Sequence, residues 1–120
     1  MPDYKIDLDD KFGSLQLIDV HAEAAAVTDP WVNQTLTTVN DSVVRLGVIE
    51  GEFHWHKHDR EDEFFYVVEG KLLLDLEDRT VELEPRQGLL VPRGVVHRTR
   101  APQRTVVLMI EAQTVVPTGD

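Results

Sequence analysis

No cysteine occurs anywhere in the chain, which removes a disulfide framework, a thiolate metal site and a cysteine nucleophile together. Any metal is left to nitrogen and oxygen ligands. Positive charge is scarce as well. Twelve Lys and Arg stand against 22 Asp and Glu, a net charge of −10, which repels nucleic acid and anionic membrane surfaces at long range, so neither is expected as a partner. No apolar run approaches the ~20 residues of a membrane span. The opening MPDYKIDLDDKF carries acids where a secretory leader carries lysines, and a cytoplasmic location is expected. At 120 residues there is room for one domain with one core, burying roughly two-thirds of the surface that the unfolded chain exposes.

What is present, from residue 43 onward, is a succession of short apolar runs: VVRLGVI, EFHWHKH, EFFYVV, KLLLDL, RTVELE, QGLLVP and RTVVLMIE. Their length and their Val, Leu, Ile and aromatic content are those of strands. Glu69-Gly70 and Glu77-Asp78 part neighbouring runs so closely that tight antiparallel hairpins are expected at both. Such a string predicts an all-β sandwich or barrel. Residues 19–29, DVHAEAAAVTD, are the one helical candidate, 30–40 alternate like an early strand, and the VVPTGD tail is expected to be irregular.

Three of the five histidines fall within HWHKH, residues 54–58. On a strand, His54, His56 and His58 share one face while Phe53, Trp55 and Lys57 share the other. Two imidazoles two residues apart can both bring a nitrogen to about 2.0–2.1 Å from one cation, and a carboxylate returning across Asp59-Arg60 completes a clip. The spacing His-X-His-X4-Glu occurs twice, as His54, His56 and Glu61 or as His56, His58 and Glu63.

The run from His56 through Glu63 to Gly70 resembles the first motif of the cupin superfamily, G(X)5HXH(X)3–4E(X)6G, and RQGLLVPRGVVH resembles its second, G(X)5PXG(X)2H, with Pro92, Gly94 and His97 in place. Gly51 falls one residue late for the first motif, and Arg86 stands where the second begins with glycine. The likeness covers most of the chain and is strongest to small single-domain cupins labelled mannose-6-phosphate isomerase-like, which share the closing PTGD. It implies an all-β double-stranded β-helix, a jelly-roll barrel, over residues 41–112. A short N-terminal extension, 1–40, is then expected to pack on the barrel, with a tail at 113–120. It also implies His56, His58, Glu63 and His97 as ligands of one divalent metal ion. Fe, Mn, Ni, Co and Zn all suit three imidazoles and a carboxylate, and Glu61 is then expected to turn away or sit at the rim.

This fold hosts dioxygenases, isomerases and metal-free binding proteins alike. The leading expectation is a metal-dependent enzyme, isomerase-like or dioxygenase-like, acting on a small polar or carbonyl-bearing metabolite, with His54 or Tyr66 moving a proton. The alternative is a non-catalytic module that binds a small molecule or senses metal, whose pocket would hold no further titratable group beside the ligand. Arg98 and Arg100 alternate with His97 and are expected to face outward, and His21 is expected to be structural or exposed. Phe53 and Trp55, on the face opposite the histidines, suggest a homodimer, with Trp31 and the N-terminal segment as contributors.

Overall fold

The computed structural model describes residues 4–120. Its strands are β1 (Lys5–Asp7), β2 (Trp31–Val39), β3 (Ser42–Glu52), β4 (Glu63–Glu69), β5 (Leu72–Leu76), β6 (Thr80–Leu83), β7 (Gly88–Val91) and β8 (His97–Ala112), with one short helix, α1 (Val20–Ala25), between β1 and β2. Hydrogen bonding runs in the order β1-β2-β3-β8-β4-β7, while β5 pairs with both β6 and β8. The long β8 therefore belongs to both walls. Its first half lies against β5 and its second half against β4, with β3 alongside both halves, and the two sheets close into a double-stranded β-helix.

Local chemistry explains where the chain bends. The Glu77-Asp78 turn is a hairpin, since β5 and β6 pair antiparallel and Leu76 N donates to Arg79 O at 2.7 Å. Glu69-Gly70 differs from expectation. β4 pairs with β7 and β8 rather than with β5, so this turn is a corner that carries the chain from one sheet to the other. Gly70 has φ +86°, and a Cβ there would lie 2.7 Å from Arg104 O; both conformation and space demand glycine. Pro102 lies within β8 where Ile49 pairs with Thr105 and Gly51 with Ala101, so residues 102–104 bulge out and the missing N–H costs no ladder bond. Arg86 adopts φ +70°, the left-handed conformation of the glycine it replaces.

Apolar residues pack on both sides of the β2-β3-β8 wall. Inside the barrel, Trp31, Phe53, Phe65, Leu72, Leu74, Val107 and Met109 belong to one cluster. Outside it, Leu36, Leu46, Val48 and Val106 are covered by Ala24 of α1, with Phe12, Ile18 and Val27 packed alongside. The helix is started by Asp19, whose carboxylate accepts from Ala22 N at 3.0 Å. Trp31, 6% exposed, is thus part of the barrel core.

Candidate metal centre

Phe53 N donates to Thr99 O at 3.0 Å, and His56 and His97 exchange both backbone bonds, at 3.0 and 2.8 Å. Two residues separate Phe53 from His56, yet only one separates Thr99 from His97. One extra residue is therefore accommodated in the first segment, which bulges. The alternation expected along HWHKH fails for this reason: Phe53 turns inward with the core at 7% exposure, while His54 and Trp55 both turn out.

From His56 onward the ligand face is restored. Ligand atoms of His56, His58, Glu63 and His97 all lie within 4.8 Å of one another. His58 and His97 are 2% and 1% exposed, Glu63 is 6% exposed, and His56 is half-buried. Their orientation follows from their backbone partners. His56 Nδ1 donates to His54 O at 3.0 Å and His97 Nδ1 to Val95 O at 2.8 Å, which leaves each Nε2 unprotonated and facing its neighbours. Glu63 Oε1 stands 3.4 Å from both His58 Nε2 and His97 Nε2. These three atoms are buried without a hydrogen-bond partner among the described residues, an arrangement that a cation at about 2 Å from each would satisfy. The residues present therefore fit a divalent metal.

The electrostatics agree with that fit. Burial lowers the His56 imidazole to about 4, keeping it neutral. Burial alone would raise Glu63, but the close approach of the His58 and His97 imidazoles and of Glu111 outweighs it and holds the carboxyl well below its usual range. Burial likewise opposes charge on His58, yet its contact with the Glu63 carboxylate pulls the imidazole up.

Behind Glu63 stand two residues that the reading of the sequence missed. Glu111, directly opposite Glu63 in the β4–β8 ladder, accepts from Arg45 Nη1 at 3.1 Å, and Arg45 Nε donates to Thr35 Oγ1 at 3.1 Å. Arg45 and Glu111 are 2% and 4% exposed. Burial pushes the Glu111 carboxyl up, and the charge on Glu63 pushes it further. Alternation from Val107 and Met109 carried the signal, since all three share the inner face of β8.

The cluster opens onto a cavity of about 40 Å³ walled by Trp31, Ile49, Phe53, Phe65, Val107 and Met109, with Asn33, Thr99 and Pro117 also lining it. Gly47 makes the room: a Cβ there would lie 2.8 Å from Val107 Cγ1. Asn33 Oδ1 is buried without a partner among the described residues. Neither His54 nor Tyr66 lines this cavity. Tyr66 falls on the opposite face of β4 from Glu63, Phe65 and Val67, the buried positions, as its odd offset from Glu63 requires. His54 is exposed, with Nε2 donating to Thr118 O at 2.7 Å.

The remaining candidates resolve locally. Glu61 sits at the rim, accepting from Thr114 Oγ1 at 2.8 Å. His21 is exposed beside Glu69, with Nδ1 3.2 Å from Oε1. Arg98 and Arg100 lie on the face of β8 away from His97 but are held at half-burial. Asp75 Oδ2 accepts from Arg98 Nε at 2.8 Å and Arg100 Nε at 2.6 Å, and its Oδ1 accepts from Arg100 Nη2 at 2.9 Å. Arg98 also lies over the Trp55 ring, 5.1 Å from its centroid. No helix among the described residues is long and apolar enough to cross a membrane.

Known proteins resemble this chain over the same region. The YdbB protein of Bacillus subtilis (strain 168) is 46% identical over 99 residues, spanning 79% of this chain and 88% of its own length. Polyketide synthase CurC of Streptomyces cyaneus is 47% identical over 45 residues, covering 38% of this chain and 29% of CurC. The crystal structure of a cupin-2 domain containing protein from Shewanella frigidimarina superposes with a TM-score of 0.76 at 29% identity, over 80% of this chain and 94% of that one. The family model described as a cupin domain matches residues 42–112, and with the barrel and the two histidine motifs in place the chain belongs to the cupin superfamily.

Proposed function

We propose that this cupin binds one divalent metal ion through His56, His58, Glu63 and His97 and uses it to act on a small carbonyl-bearing metabolite with an apolar body. The observation that carries the reading is the convergence of three partnerless buried atoms, His58 Nε2, His97 Nε2 and Glu63 Oε1, beside a cavity of aromatic and aliphatic walls. A metal bound there supplies Lewis-acid polarisation of a ligand oxygen and, where it is redox-active, a position for dioxygen. The chain supplies the rest. Trp31, Phe53 and Phe65 exclude water and take the apolar body, the Asn33 amide offers a hydrogen bond inside the cavity, and Glu63 brings the negative charge that a cation needs.

The lining also narrows the reaction. Neither Lys nor Arg lines the cavity among the described residues, which argues against a phosphorylated sugar. Its titratable members, His56 and Glu63, are both assigned to the metal, so an isomerase-like reaction would lack the base that must move a proton. A dioxygenase-like reaction has no such need, and the name of CurC fits a carbonyl-rich ligand. The same shortage favours the second reading, a non-catalytic small-molecule-binding or metal-sensing module. Elemental analysis of untagged protein followed by oxygen uptake with that metal restored separates the two. Uptake that depends on an added enolisable carbonyl compound supports the enzyme. Stoichiometric metal with no turnover supports the binding module, and full metal retention in both His58→Ala and His97→Ala would sink the metal assignment.

A homodimer belongs to the same proposal. Trp55 and Leu90 are 45% and 54% exposed, and Leu90 and Ile110 flank Phe64 on adjoining strands, an apolar row that a second copy would cover. A monomer by light scattering at micromolar concentration would exclude it.

A further inference from the structure

Past β8 the chain turns back across the barrel mouth, and between residues 114 and 120 it makes four polar contacts with the segment that carries the first two histidines. Thr114 Oγ1 donates to Glu61 at 2.8 Å and Asp120 N to Lys57 O at 2.9 Å. Asp59 N donates to Asp120 Oδ2 at 2.7 Å, and His54 Nε2 to Thr118 O at 2.7 Å. The residues gripped, 54, 57, 59 and 61, interleave with His56 and His58. Between those anchors Gly119, at φ +95°, lies so close to His56 that a Cβ would fall 2.5 Å from the His56 Cβ and 3.1 Å from its Cγ. Pro117 lines the cavity beside His56, and Val115, 3% exposed, seats the segment.

We infer that residues 114–120 are a strap that positions the metal centre, with His54 as its anchor. This inference rests on the metal reading above. His56 is the one half-buried histidine of the cluster, so it is the ligand best able to swing out and release a cation. Two groups of His54 prevent this. Its carbonyl accepts from His56 Nδ1 and fixes the tautomer, and its ring holds Thr118, keeping Gly119 against the His56 side chain. A side chain at residue 119 would force either the strap or His56 from its place. His54 is a positioning residue, acting through the strap on its neighbour.

The test compares wild type with His54→Ala, His54→Gln and Gly119→Ala. Loss of an orienting partner of a metal ligand lowers metal affinity by about 10–100-fold, so transfer of Co(II) or Zn(II) from the loaded protein to a chelator should accelerate by about that factor in His54→Ala and Gly119→Ala, with an altered Co(II) visible spectrum. His54→Gln, whose amide can still donate to Thr118 O, should release metal at close to the wild-type rate. In the metal-free proteins, hydrogen exchange of the peptide 54–61 should rise in the first two variants and stay low in His54→Gln. Unchanged exchange in His54→Ala and Gly119→Ala would overturn the strap, as would unchanged release rates. A wild-type protein that takes up no metal would remove the proposed function, while exchange in the metal-free series would still decide whether the strap holds the histidine segment.

Discussion

Glu63 and Glu111 face each other across the β4–β8 ladder with both carboxyls buried, and Arg45 is hydrogen-bonded to the second of them. Two buried carboxylates in contact repel, which pushes the Glu111 carboxyl up, and a buried arginine stripped of its acceptor is left unpaired, so each member of this series depends on the next. Glu111→Ala should destabilise the metal-free protein by about 3–5 kcal/mol, the usual consequence of stranding one partner of a buried pair. Glu111→Gln, which can still accept from Arg45 and donate to Glu63, should lose much less. Urea denaturation of the two variants side by side checks this, and equal losses would mean that Arg45 needs the charge of Glu111 rather than its hydrogen-bond acceptor.

Metal uptake should release a proton wherever the His58 imidazole is protonated. The imidazole is raised above its ordinary value by Glu63, so in the metal-free protein it keeps its proton to higher pH than a free imidazole does, and a cation must displace it. His56, lowered to about 4, is neutral already and contributes none. Apparent affinity should therefore rise with pH while His58 is protonated, by about tenfold per unit for one displaced proton, and level off above its folded value. Calorimetry in buffers of different ionisation enthalpy counts the proton. In stability the signs are opposite. The raised His58 stabilises the metal-free fold at low pH and that contribution is lost as pH rises through its folded value. The lowered His56 destabilises the fold as pH falls from its ordinary value of 6.5 through about 4.

Gly47 separates ligand binding from metal binding. A Val side chain there would meet Val107 and Met109 inside the cavity, at an overpacking cost of about 1–3 kcal/mol, while leaving all four metal-site residues in place. Gly47→Val should keep stoichiometric metal and lose ligand-dependent turnover or ligand binding. Unaltered binding would show that the ligand lies elsewhere.

Asp75 is the structural counterpart on the other wall. Hydrogen bonds from Arg100 lead the effects that hold its carboxyl far below the ordinary range, with Thr80 and Arg98 adding to them against burial. The folded pKa is depressed, so the stabilisation is present above the ordinary Asp value near 3.8 and disappears as pH falls through the folded one. Because both arginines are partly exposed, the pair is worth less than a fully buried one. Asp75→Asn should cost about 1–3 kcal/mol at neutral pH, and the gap to wild type in thermal melts should narrow in strong acid. A constant gap would place the effect in packing instead.

The order of short apolar runs, the barrel class and the grouping of His56, His58, Glu63 and His97 were legible along the chain. Strand length, the HXH spacing and the offsets to Glu63 and His97 are local or motif-borne properties, and the ligands carry their chemistry in their side chains. Tyr66 is expected from the sequence as a proton carrier, although counting from Glu63 already puts it on the far face of β4. Other features are decided by partners distant in sequence. His54 leaves the ligand face because Phe53 pairs with Thr99 while His56 pairs with His97, a mismatch of one residue that cannot be seen without both strands. Glu69-Gly70 became a corner because β8 offered β4 and β5 separate places to bond. Arg45 reads as an interruption of an apolar run until Glu111 is brought beside it, 66 residues away. The tail around Gly119 reads as irregular until it lies on His56. Alternation and spacing specify which side chains can share a face, whereas register, bulges and the return of the chain end settle which of them do, because those depend on hydrogen bonds and contacts that form only when the barrel closes.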